Sequence, residues 1–480
     1  MVGRIIAQIL LVEAAFLVPP LFLCLWDGET FIAESFLVSI GIILAVSAVL
    51  LLLCRHAQPG FYAREGLVCV GLSWVVMSLL GCLPFWISHQ IPHYVDALFE
   101  IVSGFTTTGS SILPEVESLS RGILYWRSFS HWVGGMGVLV FLLAVVPISG
   151  RSDGFTMHLL RAESPGPSVG KLVPRMKQTA SILYLLYIVL TILDILFLLA
   201  GHMPWFDAVC TAFGTAGTGG FATRNDSLAS FSPYLQNVCT VFMMLFGVNF
   251  SCYYLLVSGH VRSFFRDEEV RTYFGIAAAS TLFITLNLHG RYATVGETVR
   301  HAAFQVSSIM TTTGFASTNF DLWPSFSKAI LLCLMVVGAC AGSTGGGLKV
   351  SRVLLLFKIL RRDIRQVLRP RKVETVTMNG RPVDAKILEQ ISAYLAVYVS
   401  IVAASFIFIS LDGFSLTTNF SAVLSCFNNI GPGLDAVGPA SNFGAYSDAS
   451  KLVLIFDMLA GRLEIFPILC LFARSTWKQR

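Results

Sequence analysis

Long apolar stretches recur along the chain between short polar segments, and each has the length of a helix that crosses a membrane. The clearest stretches are Ile5–Trp26, Phe31–Cys54, Leu124–Val146, Ser181–Ala200 and Ile387–Leu411. A helix needs about 20 predominantly apolar residues to span the hydrocarbon core of a bilayer. The first stretch lacks a small-residue cleavage site, and we interpret it as a retained helix rather than a secretory signal. The pattern predicts an all-α protein with many membrane passes.

A motif in the more polar stretches between these helices occurs four times. The copies at 96–109 and 301–314 share alanine, phenylalanine, serine, three threonines and glycine without a gap. The second copy ends Gly-Thr-Gly-Gly at 217–220, and the most divergent copy ends Asn-Asn-Ile-Gly at 428–431. The final glycines are 111, 94 and 117 residues apart. We predict one unit of helix, half-helix, turn and helix that is used four times.

The half-helices of this unit are too short to cross the bilayer. From Asp96 to Phe105 a helix is about 15 Å long, half of a hydrocarbon core of about 30 Å. The turn that follows must be buried in protein or line a wet cavity, because lipid cannot satisfy backbone amides. Four such turns meet this requirement by surrounding a pore. With Asp96 and Asp207 near their outer N-termini, the half-helices direct the negative ends of their dipoles inward, which favours a cation.

The residues of the turns suit a hard cation. Glycine permits backbone angles at which successive carbonyl groups face the pore axis and replace the water around an ion, and the threonines at 106–108 and 311–313 add hydroxyl oxygens. One isolated copy would be typical of a turn after a core helix, but four copies at matching positions favour a selectivity filter. The candidate filter residues are Thr107, Thr108, Gly109, Thr218, Gly219, Gly220, Thr312, Thr313, Gly314, Asn429, Ile430 and Gly431.

Composition and charge support a membrane protein. Hydrophobic residues make up 55% of the chain and charged residues 13%, against about 45–50% and about 25% in soluble domains. If the N-terminus is cytoplasmic, 24 of the 33 lysines and arginines fall in cytoplasmic segments, as the positive-inside rule requires. The basic balance thus describes topology rather than nucleic-acid binding. The 11 cysteines are scattered without the spacing of a metal site.

A glycine-rich segment interrupts the closing helix of the third unit. Residues 338–347 include five glycines in ten positions, too many for a regular helix, and their spacing does not fit a phosphate-binding loop. A flexible linker and a mobile intramembrane loop both remain open. Arg462 lies in the last spanning segment and should face the protein interior, either towards the pore or this loop, or in a local salt bridge with Glu464 or Asp457.

The sequence also leaves open the role of residues 352–386 and the class of membrane protein to which the chain belongs. Residues 352–386 carry ten basic and three acidic residues, which is typical either of a topology determinant or of a docking surface for a cytoplasmic regulator. An intramembrane enzyme is disfavoured because the chain has no HExxH motif and because four similar turns suit a fourfold site better than a catalytic one. An ion-coupled carrier also brings broken helices together at the membrane midplane.

Five motifs resemble the Trk, Ktr and HKT superfamily of potassium transporters, and most closely its TrkH-type membrane subunits. They are Thr-Thr-Thr-Gly at 106–109, Gly-Gly-Phe-Ala-Thr at 219–223, Thr-Thr-Thr-Gly-Phe at 311–315, Asn-Asn-Ile-Gly-Pro-Gly at 428–433 and Gly-Arg-Leu-Glu at 461–464. The resemblance implies two extra N-terminal transmembrane helices at 1–60, followed by pore repeats at 61–165, 166–265, 266–375 and 376–480.

The resemblance also implies a function. Each repeat of that superfamily contributes one filter glycine, and glycine at 109 implies uptake of K⁺, the transported ion, with no organic cofactor, across a bacterial cytoplasmic (inner) membrane. It implies an intramembrane gate at 338–347, a homodimer, and a ring-forming, nucleotide-binding cytoplasmic partner of TrkA type. A proton- or sodium-coupled symporter and a less selective channel for K⁺ and Na⁺ are alternatives. The candidate gate residues are Gly342, Gly345, Gly346, Gly347, Lys349 and Arg462.

Overall fold

Helices make up most of the structure, a computed structural model that describes residues 2–55, 63–137, 176–371 and 374–477. Within those residues five helical segments are long and apolar enough to cross a membrane. They are Val2–Trp26, Thr30–Leu53, Arg64–Ile87, Ser181–Ala200 and Ala385–Asp412. The predicted stretch Leu124–Val146 is described only as far as Gly137, and the rest of it lies outside the described residues. The many-pass helical fold expected from the apolar pattern is confirmed.

Two membrane-spanning segments precede the first repeat. They consist of α1 (Val2–Phe16), α2 (Val18–Trp26) and α3 (Thr30–Leu53). The break between α1 and α2 falls where proline occupies the first turn of α2, because proline cannot donate the backbone hydrogen bond that would continue the helix. Helix α1 packs against α3, and the Ser47 hydroxyl donates to the carbonyl of Ala7 at 2.8 Å.

The remaining helices follow the predicted order of first helix, half-helix and closing helix. The first unit contains α4 (Ala63–Gly81), α5 (Leu83–Ile87), α6 (Tyr94–Phe105) and α7 (Arg121–Met136). The second contains α8 (Met176–Ala200), α9 (Trp205–Gly217), α10 (Pro233–Phe246), α11 (Phe250–Val257) and α12 (Val261–Arg266). The third contains α13 (Glu268–Asn287), α14 (Val295–Met310), α15 (Ser325–Val337) and α16 (Val350–Leu368). The fourth contains α17 (Ala385–Ile409), α18 (Leu416–Asn428), α19 (Asp448–Arg462), α20 (Phe466–Phe472) and α21 (Arg474–Trp477).

A small hairpin joins the third and fourth units. Strands β1 (Thr377–Met378) and β2 (Arg381–Pro382) pair in antiparallel register. Asn379 and Gly380 connect them with φ angles of 51° and 74°. Two successive positive φ angles are typical of a type I′ turn, for which Asn-Gly is the preferred pair. The predicted boundaries at residues 61, 165 and 166 lie outside the described residues.

The half-helices pack in a closed order. Each of the later three lies against the closing helix of the preceding unit: α9 against α7, α14 against α10, and α18 against α15. The first half-helix, α6, lies against α19 of the fourth unit. Lys451 of α19 and Asp96 of α6 form an ion pair at this junction, with Nζ and Oδ1 2.5 Å apart. The four units therefore follow one another around a common centre.

Closing helices are interrupted in more than one unit. The second unit bends by 91° between α10 and α11. In the third, the break between α15 and α16 extends from Gly338 to Lys349, and in the fourth, Glu464 and Ile465 take φ angles of 58° and 67° between α19 and α20. The sequence predicted only the break in the third unit. Asparagine, glutamate and isoleucine give a weaker signal of a helix end than a run of glycines does.

Candidate functional site

The four turns that end the half-helices share one backbone conformation. Two residues before each final glycine, the chain is left-handed, and each final glycine also has a positive φ. The left-handed residues are Thr107, Thr218, Thr312 and Asn429, at 56°, 54°, 60° and 56°, and the glycines are Gly109, Gly220, Gly314 and Gly431, at 79°, 74°, 89° and 107°. Three different sequences, one of them used twice, thus form the same turn.

Backbone hydrogen bonds fix these turns on their helices. The residue before each final glycine donates its N–H to the carbonyl five residues earlier: Thr108 to Ser103, Gly219 to Gly214, Thr313 to Ser308 and Ile430 to Ser425, at 2.8, 2.8, 2.8 and 2.9 Å. Such bonds satisfy helix-terminal carbonyls once a left-handed residue has ended the helix. These bonds use the carbonyls of the half-helices and not those of the ring residues.

Together the four turns form a closed ring. A Cβ added to Gly109 would overlap the carbonyl oxygen of Gly219, one added to Gly220 that of Thr313, and one added to Gly314 that of Ile430. A Cβ on Gly431 would press against the carbonyl oxygen of Thr108, which returns to the first unit. The structure brings all twelve candidate filter residues together here, and only glycine fits at the four contact points. We call residues 107–109, 218–220, 312–314 and 429–431 the ring.

Most threonine hydroxyls at the ring are engaged with protein. The hydroxyls of Thr106 and Thr108 bond each other at 2.8 Å, and those of Thr311 and Thr313 at 2.7 Å. Within the described residues, the buried hydroxyl of Thr107 has no hydrogen-bond partner. Backbone carbonyls, rather than whole threonine side chains, are therefore the larger supply of oxygen for an ion.

The second and fourth turns lack the Thr-Thr-Thr-Gly sequence of the other two, and each difference has a local cause. The imidazole of His131 occupies the space where a side chain at position 219 would lie, so glycine replaces the threonine found at 108 and 313. In the fourth turn, the Asn429 amide donates to the Thr108 hydroxyl at 3.0 Å and to the carbonyl of Met458 at 2.9 Å. Each irregular residue thus connects its turn to a neighbouring helix or turn.

A tight pair of contacts fixes the His131 ring. Its Nδ1 lies 2.8 Å from the carbonyl oxygen of Gly104, and its Nε2 accepts the Phe221 N–H at 3.3 Å. A nitrogen that accepts an N–H carries no proton of its own, and the nitrogen that faces a carbonyl must donate. His131 is therefore neutral, with its proton on Nδ1, and it adds no positive charge beside the ring.

The ring separates a cavity from the glycine-rich segment. A cavity of about 180 Å³ is lined by the four ring glycines and by residues that follow them in the chain, such as Ser110 and Phe221. On the other side, Gly346 donates its N–H to the Thr312 hydroxyl at 2.7 Å, and a Cβ on Gly345 would lie 2.8 Å from the carbonyl oxygen of Thr311. The glycine-rich segment therefore lies directly against the ring.

Two cations hold the glycine-rich segment. Lys349 is buried and donates to the carbonyl of Gly345. Arg462 donates to the carbonyl of Thr344 at 2.8 Å and to the carbonyls of Gly134 and Gly135 at the end of α7. It thereby joins the third unit to the first.

The acids near Arg462 in sequence have other partners. Glu464 forms an ion pair with Arg352, and Asp457 accepts the Ser405 hydroxyl at 2.7 Å. Of the two interpretations of Arg462 that the sequence left open, the geometry favours contact with the glycine-rich segment.

A buried ion pair that no sequence motif indicated lies behind the ring. Glu100 of α6 and Arg127 of α7 are almost fully buried, and Oε1 and Nε are 2.5 Å apart. Glu100 also accepts the N–H of Ile112 at 3.0 Å, and Arg127 donates to the carbonyl of Ala222 at 3.0 Å. The guanidinium lies 3.7 Å over the ring of Phe221. One pair thus fixes the segments that follow two ring glycines. Its signal in the sequence was a charge within each of two helices at membrane depth.

Comparison with protein families decides what kind of protein contains this ring. The family described as "TrkH: Cation transport protein" matches residues 33–479. The chain belongs to the TrkH family. It is 37% identical to the Trk system potassium uptake protein TrkH of Salmonella typhimurium, over 93% of this chain and 92% of that protein. The corresponding protein of Escherichia coli K12 is 36% identical, over 98% of this chain and 97% of its own length.

A solved structure agrees with this assignment. The crystal structure of the potassium transporter TrkH from Vibrio parahaemolyticus matches with a TM-score of 0.88 and 31% sequence identity, over 99% of both chains. The expected resemblance to TrkH-type subunits is confirmed. This TrkH-family chain is a transporter of the membrane, and an intramembrane enzyme is excluded.

We expect Arg127→Ala to destabilise the protein by about 3–5 kcal/mol, because it leaves the Glu100 carboxylate buried without its cation. The loss of stability is measured by heating the protein in detergent and monitoring the remaining folded fraction by size-exclusion chromatography. Arg262→Ala removes an exposed arginine and is the control. The double variant Glu100→Gln with Arg127→Gln should lose less than Arg127→Ala alone. A loss no larger than that of Arg262→Ala would show that the pair does not support the fold.

Proposed function

We propose that this chain takes up K⁺ through a selectivity filter formed by the ring, and that the glycine-rich loop (residues 338–347) gates the path. The observation that carries the proposal is the cyclic contact of the four turns. Each ring glycine lies against a carbonyl of the next turn, and the fourth returns to the first. Converging carbonyl groups that replace an ion's hydration shell are the means by which K⁺ filters select their ion.

The dipoles of the half-helices support a cation at the centre. All four end at the ring, and α6, α9 and α14 carry Asp96, Asp207 and Glu297 in their first turns. Acids near a helix N-terminus and a cation beyond its C-terminus both match the direction of the helix dipole. The relatives compared above are named as potassium uptake proteins, and Gly109 stands where the resemblance implies K⁺ selectivity.

The contacts of the glycine-rich loop support its role as a gate. It lies against Thr311 and Thr312 on the side of the ring opposite the cavity, and its small residues can move with little steric cost. Arg462 and Lys349 hold its carbonyls in place. A loop that lies across the path in one position and withdraws in another is a common form of gating.

The same proposal includes the setting of the chain. We place it in a bacterial cytoplasmic membrane with both termini in the cytoplasm, as a homodimer that binds a nucleotide-binding ring of TrkA type. The basic residues of α16 and of the hairpin that follows support a cytoplasmic location for this segment. The likeness to TrkH proteins over nearly the full chain supports the partners.

Current through the purified protein in planar bilayers tests transport itself. Under a K⁺ gradient alone, we expect steady current that reverses at the K⁺ Nernst potential, because a continuous ring of carbonyls needs no second ion. A reversal potential that moves with pH or Na⁺ at constant K⁺ would instead support a coupled symporter.

Gly109→Ser should weaken discrimination between K⁺ and Na⁺. The new Cβ overlaps the Gly219 carbonyl, and a non-glycine residue at this positive φ is strained by about 1–2 kcal/mol, so carbonyls of two turns must move. The permeability ratio, from reversal potentials in mixed K⁺ and Na⁺, measures the effect. Gly413→Ser is the control, because Gly413 has a positive φ in open space far from the ring. An unchanged ratio in well-folded Gly109→Ser protein would remove Gly109 from the filter.

Deletion of part of Gly342–Gly347, or Arg462→Ala, should raise K⁺ flux without changing selectivity. Arg462→Ala removes hydrogen bonds from a charged donor to Thr344, so we expect roughly a tenfold increase, the size of one such bond. The double change should gain less than the product of the two single gains, because contacting residues are not additive. Rubidium uptake at matched membrane abundance, in cells without other potassium systems, measures the flux. Equal or lower flux in both single variants would show that loop and arginine do not limit conduction.

A further inference from the structure

Glu269 contacts both ends of the glycine-rich loop. It is the second residue of α13, and its side chain is 5% exposed. Its Oε1 accepts the N–H of Ala341 at 2.6 Å and the N–H of Ser351 at 3.1 Å. Ala341 lies near the start of the loop, and Ser351 follows its end. One carboxylate oxygen therefore joins two backbone positions that are separated by residues 342–350, which contain four of the five glycines.

The position of Glu269 is itself well fixed. Asp267 caps α13 and accepts the Glu269 N–H at 2.9 Å. The hairpin turn supports this cap, since the Asn379 side chain donates to Asp267 at 2.8 Å and accepts the Glu268 N–H at 2.8 Å. Glu268 also forms an ion pair with Lys358 of α16. The carboxylate of Glu269 thus projects from a helix end that the surface hairpin and α16 both hold.

Glu269 complements the cations on the loop. Arg462 and Lys349 donate to carbonyl oxygens in the middle of the segment, whereas Glu269 accepts N–H groups at its ends. A buried N–H without an acceptor is costly, so loss of the Glu269 carboxylate weakens the hold on both ends of the loop. Both N–H groups donate to the same carboxylate oxygen, so one substitution removes both acceptor contacts.

We propose that Glu269 is the positioning residue that latches the two ends of the glycine-rich loop and keeps the loop against the ring. Loss of this latch frees Ala341 and Ser351 to exchange their protein acceptor for water. The loop then leaves its packed position more often, while the ring, which Glu269 does not touch, keeps its shape. The inference deepens the gate assigned under the proposed function and rests on it only where flux is concerned.

The latch is tested on the loop directly, without transport. Cys340 is a buried loop residue beside Ala341, so its alkylation by N-ethylmaleimide reports how often the loop opens. The full chain in membranes is labelled for a series of times, and peptide mass spectrometry measures modification at Cys340. We expect Glu269→Ala to speed this labelling by at least roughly tenfold, because it removes the acceptor of two buried N–H groups. Glu269→Gln should stay closer to the unmodified chain, because its amide oxygen still accepts both N–H groups.

Two further variants complete the test. Glu389→Ala removes an exposed acid from the first turns of α17 and should leave Cys340 labelling unchanged. Glu269→Asp keeps the charge but is one methylene shorter, and serves if Glu269→Ala does not fold; it should label faster than Glu269→Gln. Labelling of Cys340 that is as slow in Glu269→Ala or Glu269→Asp as in the unmodified chain would overturn the latch.

Rubidium flux then separates the latch from the gate. Glu269→Ala should raise flux along with labelling while the ratio of K⁺ to Na⁺ permeability stays constant. Faster labelling with unchanged flux would support the latch and contradict the gate assigned to the loop. If Cys340 labelling stays slow in Glu269→Ala while Arg462→Ala raises the flux, the latch is contradicted and the gate remains in place.

Discussion

Backbone amides that leave a helix inside a membrane must find partners in the protein, and the rest of this structure depends on how that requirement is met. Each half-helix ends in a left-handed residue, and the next N–H returns to a carbonyl of the same helix. Each ring glycine then lies against a carbonyl oxygen of a neighbouring turn. Because these contacts run from each turn to the next and return to the first, the surrounding helices have to bring all four turns to one point and keep lipid away from it.

The four turns reach this arrangement with supporting side chains that differ from one turn to the next. His131 fills the space left by Gly219, the Asn429 amide joins the fourth turn to the first, and the Glu100–Arg127 pair holds the exit of the first two turns. These polar groups are buried and hydrogen-bonded, which gives them a defined geometry. The ring can therefore keep one backbone shape while the chemistry that supports each quarter differs.

The sequence predicted the half-helices, the four turns and the twelve ring residues, because membrane-length apolar runs and repeated glycines are local signals. It did not predict the breaks at Asn249 and Glu464, since single polar residues rarely end a helix by themselves. Glu100, Arg127 and Glu269 were also missed. Their partners lie 27, 72 and 82 residues away, and no local pattern reports which distant backbone a buried carboxylate will meet. Arg462 stood out as a lone charge, but its contact with Thr344 rather than Glu464 depends on how the third and fourth units pack, which the local sequence does not report.

The closed packing order has a consequence for biosynthesis. Half-helix α6 rests on α19, and the ion pair between Asp96 and Lys451 joins residues 355 positions apart. Contacts so distant in sequence form late, because a long loop must close before they stabilise anything. During translation, the first quarter of the molecule therefore waits in the membrane, with one flank uncovered, until the last quarter has left the ribosome. A chain truncated before residue 448 lacks the helix that covers this flank. We expect such a chain to be exposed to membrane proteases that degrade incompletely folded proteins.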